Sequence, residues 1–139
     1  MKKTGLIFLS LSEQAELLME RQISSVELTS AYIKRIETLN PKLNAYITVT
    51  AEAALKSARK AQAAIDSGDY KGPLHGIPFA VKDQICTKGI RTTNSSTVLG
   101  DYVPNFDATI ITKLKAAGAI LLGKLNLSEF ASGGRFKYP

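Results

Sequence analysis

The chain has 139 residues, 45% of them hydrophobic and 22% charged, and its 18 basic and 12 acidic side chains give a net charge of +6. That is ordinary globular composition and excludes a disordered or collagen-like chain. Lysines and arginines are spread along the sequence among acidic residues, with no basic run interleaved with aromatics, so a solvated, mildly basic surface is expected and no nucleic-acid partner.

In chain order, Lys2 and Lys3 precede a short apolar run, residues 5–9, that resembles the start of a signal peptide. The run breaks at Ser10 and shows no small-x-small cleavage site, so it is expected to pack on the body of the protein. No stretch approaches the length of a membrane-spanning helix, and no membrane partner is expected. Ser10 and Glu13 form a capping box for a first helix with Leu11, Ala15, Leu18 and Met19 on one face. Ser24 and Glu27 form a second box for a helix carrying Leu28, Ala31, Tyr32, Ile36 and Leu39, which Asn40-Pro41 is expected to stop. Residues 45–49, rich in β-branched and aromatic side chains, read as a strand. Thr50 is placed to cap an alanine-rich helix running to about Ser67, with Ala54, Ala58, Ala61 and Ile65 as its buried stripe.

A Gly/Pro-punctuated turn, residues 72–76, then feeds the apolar run 77–81, too short for a helix and apolar on both faces, which reads as a buried strand. Pro78 suits only the first residue or an edge of such a strand. The run ends on Lys82 and Asp83. Ligands bind at the carboxyl ends of strands in α/β sheets, so Lys82 is a candidate general base if desolvation holds its amine neutral. A lysine that merely reaches solvent is the plainer alternative. Asp83 should point to the opposite face from Lys82 and act as a ligand of the loop backbone. Residues 84–106 read as a long irregular connection, expected to be the most mobile long segment. Asp107 is placed to cap a helix through Ala117 with Ile110, Ile111 and Leu114 on one face; residues 119–122 read as a second buried strand, and Asn126 as the cap of a helical turn from Leu127.

Strands alternating with helices predict an α/β fold with a partly parallel sheet, behind an amino-terminal helical pair. Residues 1–43 form the helical lead-in and 44–139 the start of the α/β core of one domain. One cysteine, Cys86, excludes an internal disulfide and suits a reducing, cytoplasmic setting. His75 and Cys86 are the only residues of their kinds, which disfavours a zinc site; no phosphate-binding glycine motif is present, and no metal or cofactor is expected. A Cys86–His75 nucleophile pair is the weakest reading, with His75 expected as a polar surface residue of a turn and Cys86 as apolar filler. Ser95, Ser96 and Ser132 are loop serines without the surroundings of a nucleophile motif.

The stretch GPLHGIPFAVKD, followed by GIRTTNSSTVL (89–99), PNFDATIITKLKAAGAILLG (104–123) and KLNLSEFASGG (124–134), resembles the amidase signature family in order and spacing over nearly the whole chain. The resemblance implies a serine hydrolase with a Ser–cis-Ser–Lys triad that cleaves a carboxamide C–N bond of a small molecule through an acyl-serine intermediate. Lys82 matches the family's lysine, and Ser132 and Gly133 match residues along its substrate pocket. A Ser132-Gly133-Gly134 run can also offer backbone N–H groups to an anion. The glycine- and serine-rich stretch that carries both triad serines is absent from these residues. The chain is therefore expected to be inactive alone, to need the carboxy-terminal part of the same domain, and to self-associate through an uncovered sheet. Within the family, LNLSEFASG (125–133) departs from the Thr-Asn-Met-Asp-Glu-Phe-Ala-Met-Gly pattern of glutamine amidotransferase A subunits, which supply ammonia for tRNA-dependent amidation together with partner subunits, and so favours a general amidase. A non-catalytic remnant that binds a partner through its unpaired sheet is the rival of a different class.

Overall fold

The structure, a computed structural model, describes residues 3–133. A 3-10 helix (Lys3–Phe8) leads into helices α1 (Leu11–Met19) and α2 (Ser25–Leu43); then come strand β1 (Tyr46–Val49), helix α3 (Ala51–Asp66), strand β2 (Pro78–Lys82), helix α4 (Thr109–Ala116) and strand β3 (Ile120–Leu125). The three strands form one open sheet in the order β1-β3-β2, with β1 antiparallel and β2 parallel to β3. This is the expected α/β class with a partly parallel sheet.

Both capping boxes close as the sequence predicts. The Ser10 hydroxyl accepts from Glu13 N while Glu13 Oε2 accepts from Ser10 N at 2.7 Å, and Ser24 and Glu27 repeat the exchange at 3.0 Å each way. The buried stripe of α3 is Ala54, Ala58, Ala61 and Ile65, and its three alanines pack with Ile33 and Ile36 of α2 and Ile120 and Leu122 of β3 into the main core. A second cluster joins Leu6, Ala15, Leu18, Leu28 and Ile77, so the leading apolar segment does pack on the body.

Several local expectations are corrected. Leu11 and Met19 are exposed, and the amide of Gln14 is buried in their place, donating to the carbonyls of Leu6 and Leu9 and to the Tyr32 hydroxyl. Helix α2 runs through Pro41 and stops at Asn44 in the left-handed conformation. Asn40 bridges to both backbone groups of Tyr46 from the last turn, which holds the helix end against β1. Thr50 sits at the cap position of α3 but donates to Leu121 O at 3.1 Å instead of capping. Asp107 does not cap α4: it accepts from Lys88 N and pairs with Lys115, both at 2.7 Å, and the cap position falls to Ala108. On α4 only Ile111 is buried, and Ile110 is exposed. Instead of a helix from Leu127, a single 3-10 turn forms over Glu129–Ala131, because Asn126 Oδ1 is already shared between Leu127 N and the Ser95 hydroxyl.

Strand β3 extends three residues beyond Leu122. Its pairing with β2 slips between Phe79 and Val81, so Leu122 and Gly123 together oppose Ala80. Such a bulge resets side-chain alternation along the strand. Gly123 is held at φ +154°, and a Cβ there would collide with Thr48 O of β1. Gly123→Ala should lower stability by at least about 2 kcal/mol, from backbone strain and overpacking together. Urea titration of the variant against the parent chain measures it; a loss below about 0.5 kcal/mol would show that the bulge tolerates a side chain.

Candidate active site

Lys82 is the last residue of β2 and lies opposite Leu125 of the parallel neighbour β3. Both strands deliver their carboxyl ends to the same edge of the sheet, where α/β folds place ligands. The Lys82 side chain is exposed among the described residues. Among the described residues β2 is one of the two edge strands of the sheet, and no described element covers its end. Pro78 begins that edge strand, where its missing N–H costs no ladder bond.

The buried lysine is a different one. Lys124, on the central strand, is completely buried, as is Asp83 beside Lys82. Its ammonium donates to Thr92 Oγ1 at 2.6 Å and to Ile85 O at 2.8 Å, and stands 3.3 Å from Asp83 Oδ1, an ion-pair contact without hydrogen-bond alignment. The other carboxylate oxygen of Asp83 accepts from Thr93 N at 2.7 Å and Thr93 Oγ1 at 2.6 Å. Asp83 is thus a ligand of the loop backbone, as expected, and also the counter-ion of Lys124, which was not. Desolvation pushes the Lys124 amine below the ordinary lysine range, and the Asp83 carboxylate opposes that shift. Residue type alone gave one available signal for this pair. A lysine so soon after the apolar run 119–122 is buried only when paired, and Asp83 is the acid at the neighbouring strand end.

The connection from residue 84 to 106 is more firmly held than its sequence suggests. Thr87, Thr92, Thr93, Ser95 and Ser96 are all buried. The Ser95 hydroxyl donates to Asn126 Oδ1 at 2.8 Å and that of Ser96 to Glu129 Oε1 at 2.7 Å, while Phe130 N donates to Asn94 O. The two serines thus tie the connection to the segment after β3, while the threonines bond to Asp83, to Lys124 and to carbonyls within the connection itself. Asn94 and Ser95 both adopt positive φ, a costly conformation that this network holds in place. Exposed large apolar side chains of the connection are confined to Val98, Tyr102, Val103 and Phe106.

Ser132 and Gly133 lie exposed just after the 3-10 turn. Ser132 Oγ donates to Glu129 O at 2.7 Å, and Gly133 N donates to Ser128 Oγ at 3.3 Å, so neither group is free to meet an anion in this arrangement. Gly134, the third residue of that run, lies outside the described residues.

His75 and Cys86 do not meet. They flank opposite ends of the five-residue β2, a span of roughly 16 Å at the usual strand rise. His75 is buried rather than superficial: Nδ1 accepts from Lys71 N at 3.1 Å, the ring stacks on Tyr70, and its edge fills the space left by Gly118. Burial and the positive charge of Lys71 hold its pKa below the usual histidine value, against a smaller opposing effect of Asp69. An imidazole that protonates more readily unfolded than folded makes stability rise with pH across that gap. Stability should therefore be complete above about pH 6.5 and fall as the pH drops through the window below it. Denaturant midpoints between pH 7 and 5 should show this slope, and His75→Gln should flatten it. An unchanged slope in that variant would assign the effect elsewhere. Among the described residues no group of three or more His, Cys, Asp or Glu side chains is gathered that could hold a metal ion.

The fold is thus a mixed α/β sheet with Lys82 at the carboxyl end of a parallel strand, beside a hydroxyl-rich loop. The profile of the Amidase family matches residues 27–139, and the chain belongs to that family. It is 51% identical over 128 residues to the A subunit of the glutamyl-tRNA(Gln) amidotransferase of Moorella thermoacetica, covering 92% of this chain and 26% of the relative. Among solved structures it superimposes on the native peptide amidase from Stenotrophomonas maltophilia with a TM-score of 0.87 and 34% identity, over 93% of this chain and 27% of that one. It superimposes on a fatty acid amide hydrolase with a TM-score of 0.83 and 25% identity, over 91% and 22% of the two chains. The chain spans about a quarter of the length of the curated relatives it matches. No helix among the described residues is long and apolar enough to cross a membrane.

Proposed function

We propose that residues 1–139 supply the base-bearing part of an amidase active site, with Lys82 as the general base and the two serines of the triad contributed from outside these residues. In the assembled site the Lys82 amine, neutral when it acts, takes the proton of the bridging serine, which takes that of the nucleophilic serine. The serine oxygen attacks the carboxamide carbon. The C–N bond breaks, and the relayed proton leaves with the amine. Water then enters by the same relay, cleaves the acyl-serine ester and releases the acid. The single observation that carries this reading is the position of Lys82: the last residue of a parallel strand, solvent-accessible, in a segment matched by the Amidase profile. Ser132 and Gly133 are assigned to the substrate side of the site, where they would have to give up their present contacts around the 3-10 turn. A lone, half-buried Cys86 suits a reducing compartment such as the cytoplasm.

A second reading is favoured by identity. The relatives at 46–51% are amidotransferase A subunits, against 25–36% for the solved amidases. On that reading the carboxamide is that of glutamine, and partner subunits consume the ammonia. One experiment tests the premise the two share, that the nucleophile comes from outside these residues. Residues 1–139 joined to the remaining length of the Moorella thermoacetica relative are assayed for ammonia release from glutamine and from peptide carboxamides, and treated with a fluorophosphonate that labels activated serines. Labelling and turnover are expected in the joined protein and neither in residues 1–139 alone. Labelling of the 139-residue chain by itself would overturn the assignment of the nucleophile to outside these residues.

A further inference from the structure

We infer that Lys124 and Asp83 form a positioning clasp for Lys82, and this rests on the reading of Lys82 as the base. Lys82 is followed at once by a tight turn, in which Ile85 N donates to Lys82 O at 3.0 Å. Lys124 grips this turn at two points, the Asp83 carboxylate just after its start and the Ile85 carbonyl at its end. Asp83 N donates to Leu125 O at 2.8 Å, so the residue that follows Lys82 is also tied to the backbone neighbour of Lys124. The third ligand, Thr92 Oγ1, draws the returning loop onto the same ammonium. The side chains of Lys124, Asp83 and Thr92 are fully buried, where an ion pair and its hydrogen bonds are screened little by solvent.

Lys124 itself is no candidate for proton transfer. Its ammonium is enclosed by Asp83, Ile85 and Thr92 and does not reach solvent. The exposed Lys82 is the opposite case: its side chain has no hydrogen-bond or ion-pair partner among the described residues, so only its backbone fixes its place. Among the described residues that backbone has one neighbouring strand, and the bulge beside Ala80 already interrupts the pairing two residues earlier. Without the clasp, the end of β2 would be held by its last two ladder positions alone.

A clasp of this kind predicts a loss in kcat with little change in KM, because misplacing a base by about 1 Å costs about a hundredfold in rate without removing substrate contacts. The test uses Lys124→Met combined with Asp83→Asn, since removing both charges avoids stranding one of them in the core. In the 139-residue chain, hydrogen exchange at Asp83 N and Ile85 N is compared with that of α3 amides. The clasp requires the turn amides to exchange at least about tenfold faster while α3 protection stays near the parent value. Unchanged turn protection would overturn it. In the joined amidase described above, kcat should fall about a hundredfold with KM within about threefold, and Lys124→Arg with Asp83 intact should recover part of the rate. Parental kcat in the double variant, with turnover still dependent on Lys82, would overturn the clasp and leave the base in place. Turnover indifferent to Lys82→Ala would instead remove the base, and the exchange measurement would then decide the clasp on its own.

Discussion

Lys82→Ala in the complete amidase should lower kcat by about 10³-fold or more, leave KM within a few-fold, and leave the denaturation midpoint unchanged. General-base catalysis by a positioned side chain is worth about 10²–10⁴ in rate. Where the base acts through a relay that also returns the proton to the leaving amine, the upper part of that range applies, because members of such a unit fail together. Stability should not move because Lys82 is exposed and makes no side-chain hydrogen bond or ion pair among the described residues, and surface substitutions of that kind fall within about 0.5 kcal/mol. The combination of a large rate loss with no stability loss is the diagnostic. Steady-state kinetics and urea titration on the same preparation measure both. Turnover within tenfold of the parent would remove Lys82 from the mechanism.

Lys124→Met alone should behave in the opposite way, destabilising the 139-residue chain by about 3–5 kcal/mol. Breaking a buried ion pair from one side leaves the other charge without compensation, and that is the costly direction. Here the stranded group is Asp83, whose second oxygen retains Thr93 while the first loses its only cationic neighbour; Ile85 O loses its ammonium donor as well. In a chain of this size the loss corresponds to a fall of about 10–15 °C in the thermal midpoint. Adding Asp83→Asn should recover most of it, since a methionine stem occupies much of the same space and a neutral amide costs less to bury than a carboxylate. A double variant no more stable than Lys124→Met would mean that packing of the lysine stem, rather than the charge pair, supports the core.

The two lysines at the carboxyl ends of β2 and β3 divide between solvent and core. The exposed Lys82, the proposed base, contributes nothing to the core. The buried one is closed to substrate and ties together β2, β3 and the returning loop. Their neighbours differ in the same sense. Ser95 and Ser96 spend their hydroxyls on Asn126 and Glu129, so as nucleophiles they would first have to leave a buried network.

Much of the fold was readable from local pattern. Capping boxes at Ser10 and Ser24, the alanine stripe of α3, the short apolar run ending on Lys82 and the α/β alternation all depend on residues within a few positions of one another, and periodicity and capping chemistry act on that scale. The amidase resemblance likewise lay in contiguous segments. What the sequence by itself left open depended on partners far apart in the chain. Helix α2 ran on through Pro41 to be held against β1 by Asn40, Asp107 was drawn to Lys88 and Lys115, and His75 was buried by Gly118 and Tyr70. The exposure of Lys82 goes with the edge position of β2 among the described residues, and strand order is not written in any one segment. The burial of Lys124 needed three separate decisions of the tertiary structure: β3 at the centre of the sheet, a bulge at Gly123 that resets its alternation, and a loop folded back to bring Ile85 and Thr92 to its ammonium. Alternation fails past a bulge because one extra residue turns every later side chain to the other face. A charged side chain survives in the core only when its counter-ion is delivered by another element, and here Asp83, forty-one positions earlier in the numbering, is delivered by the pairing of two parallel strands.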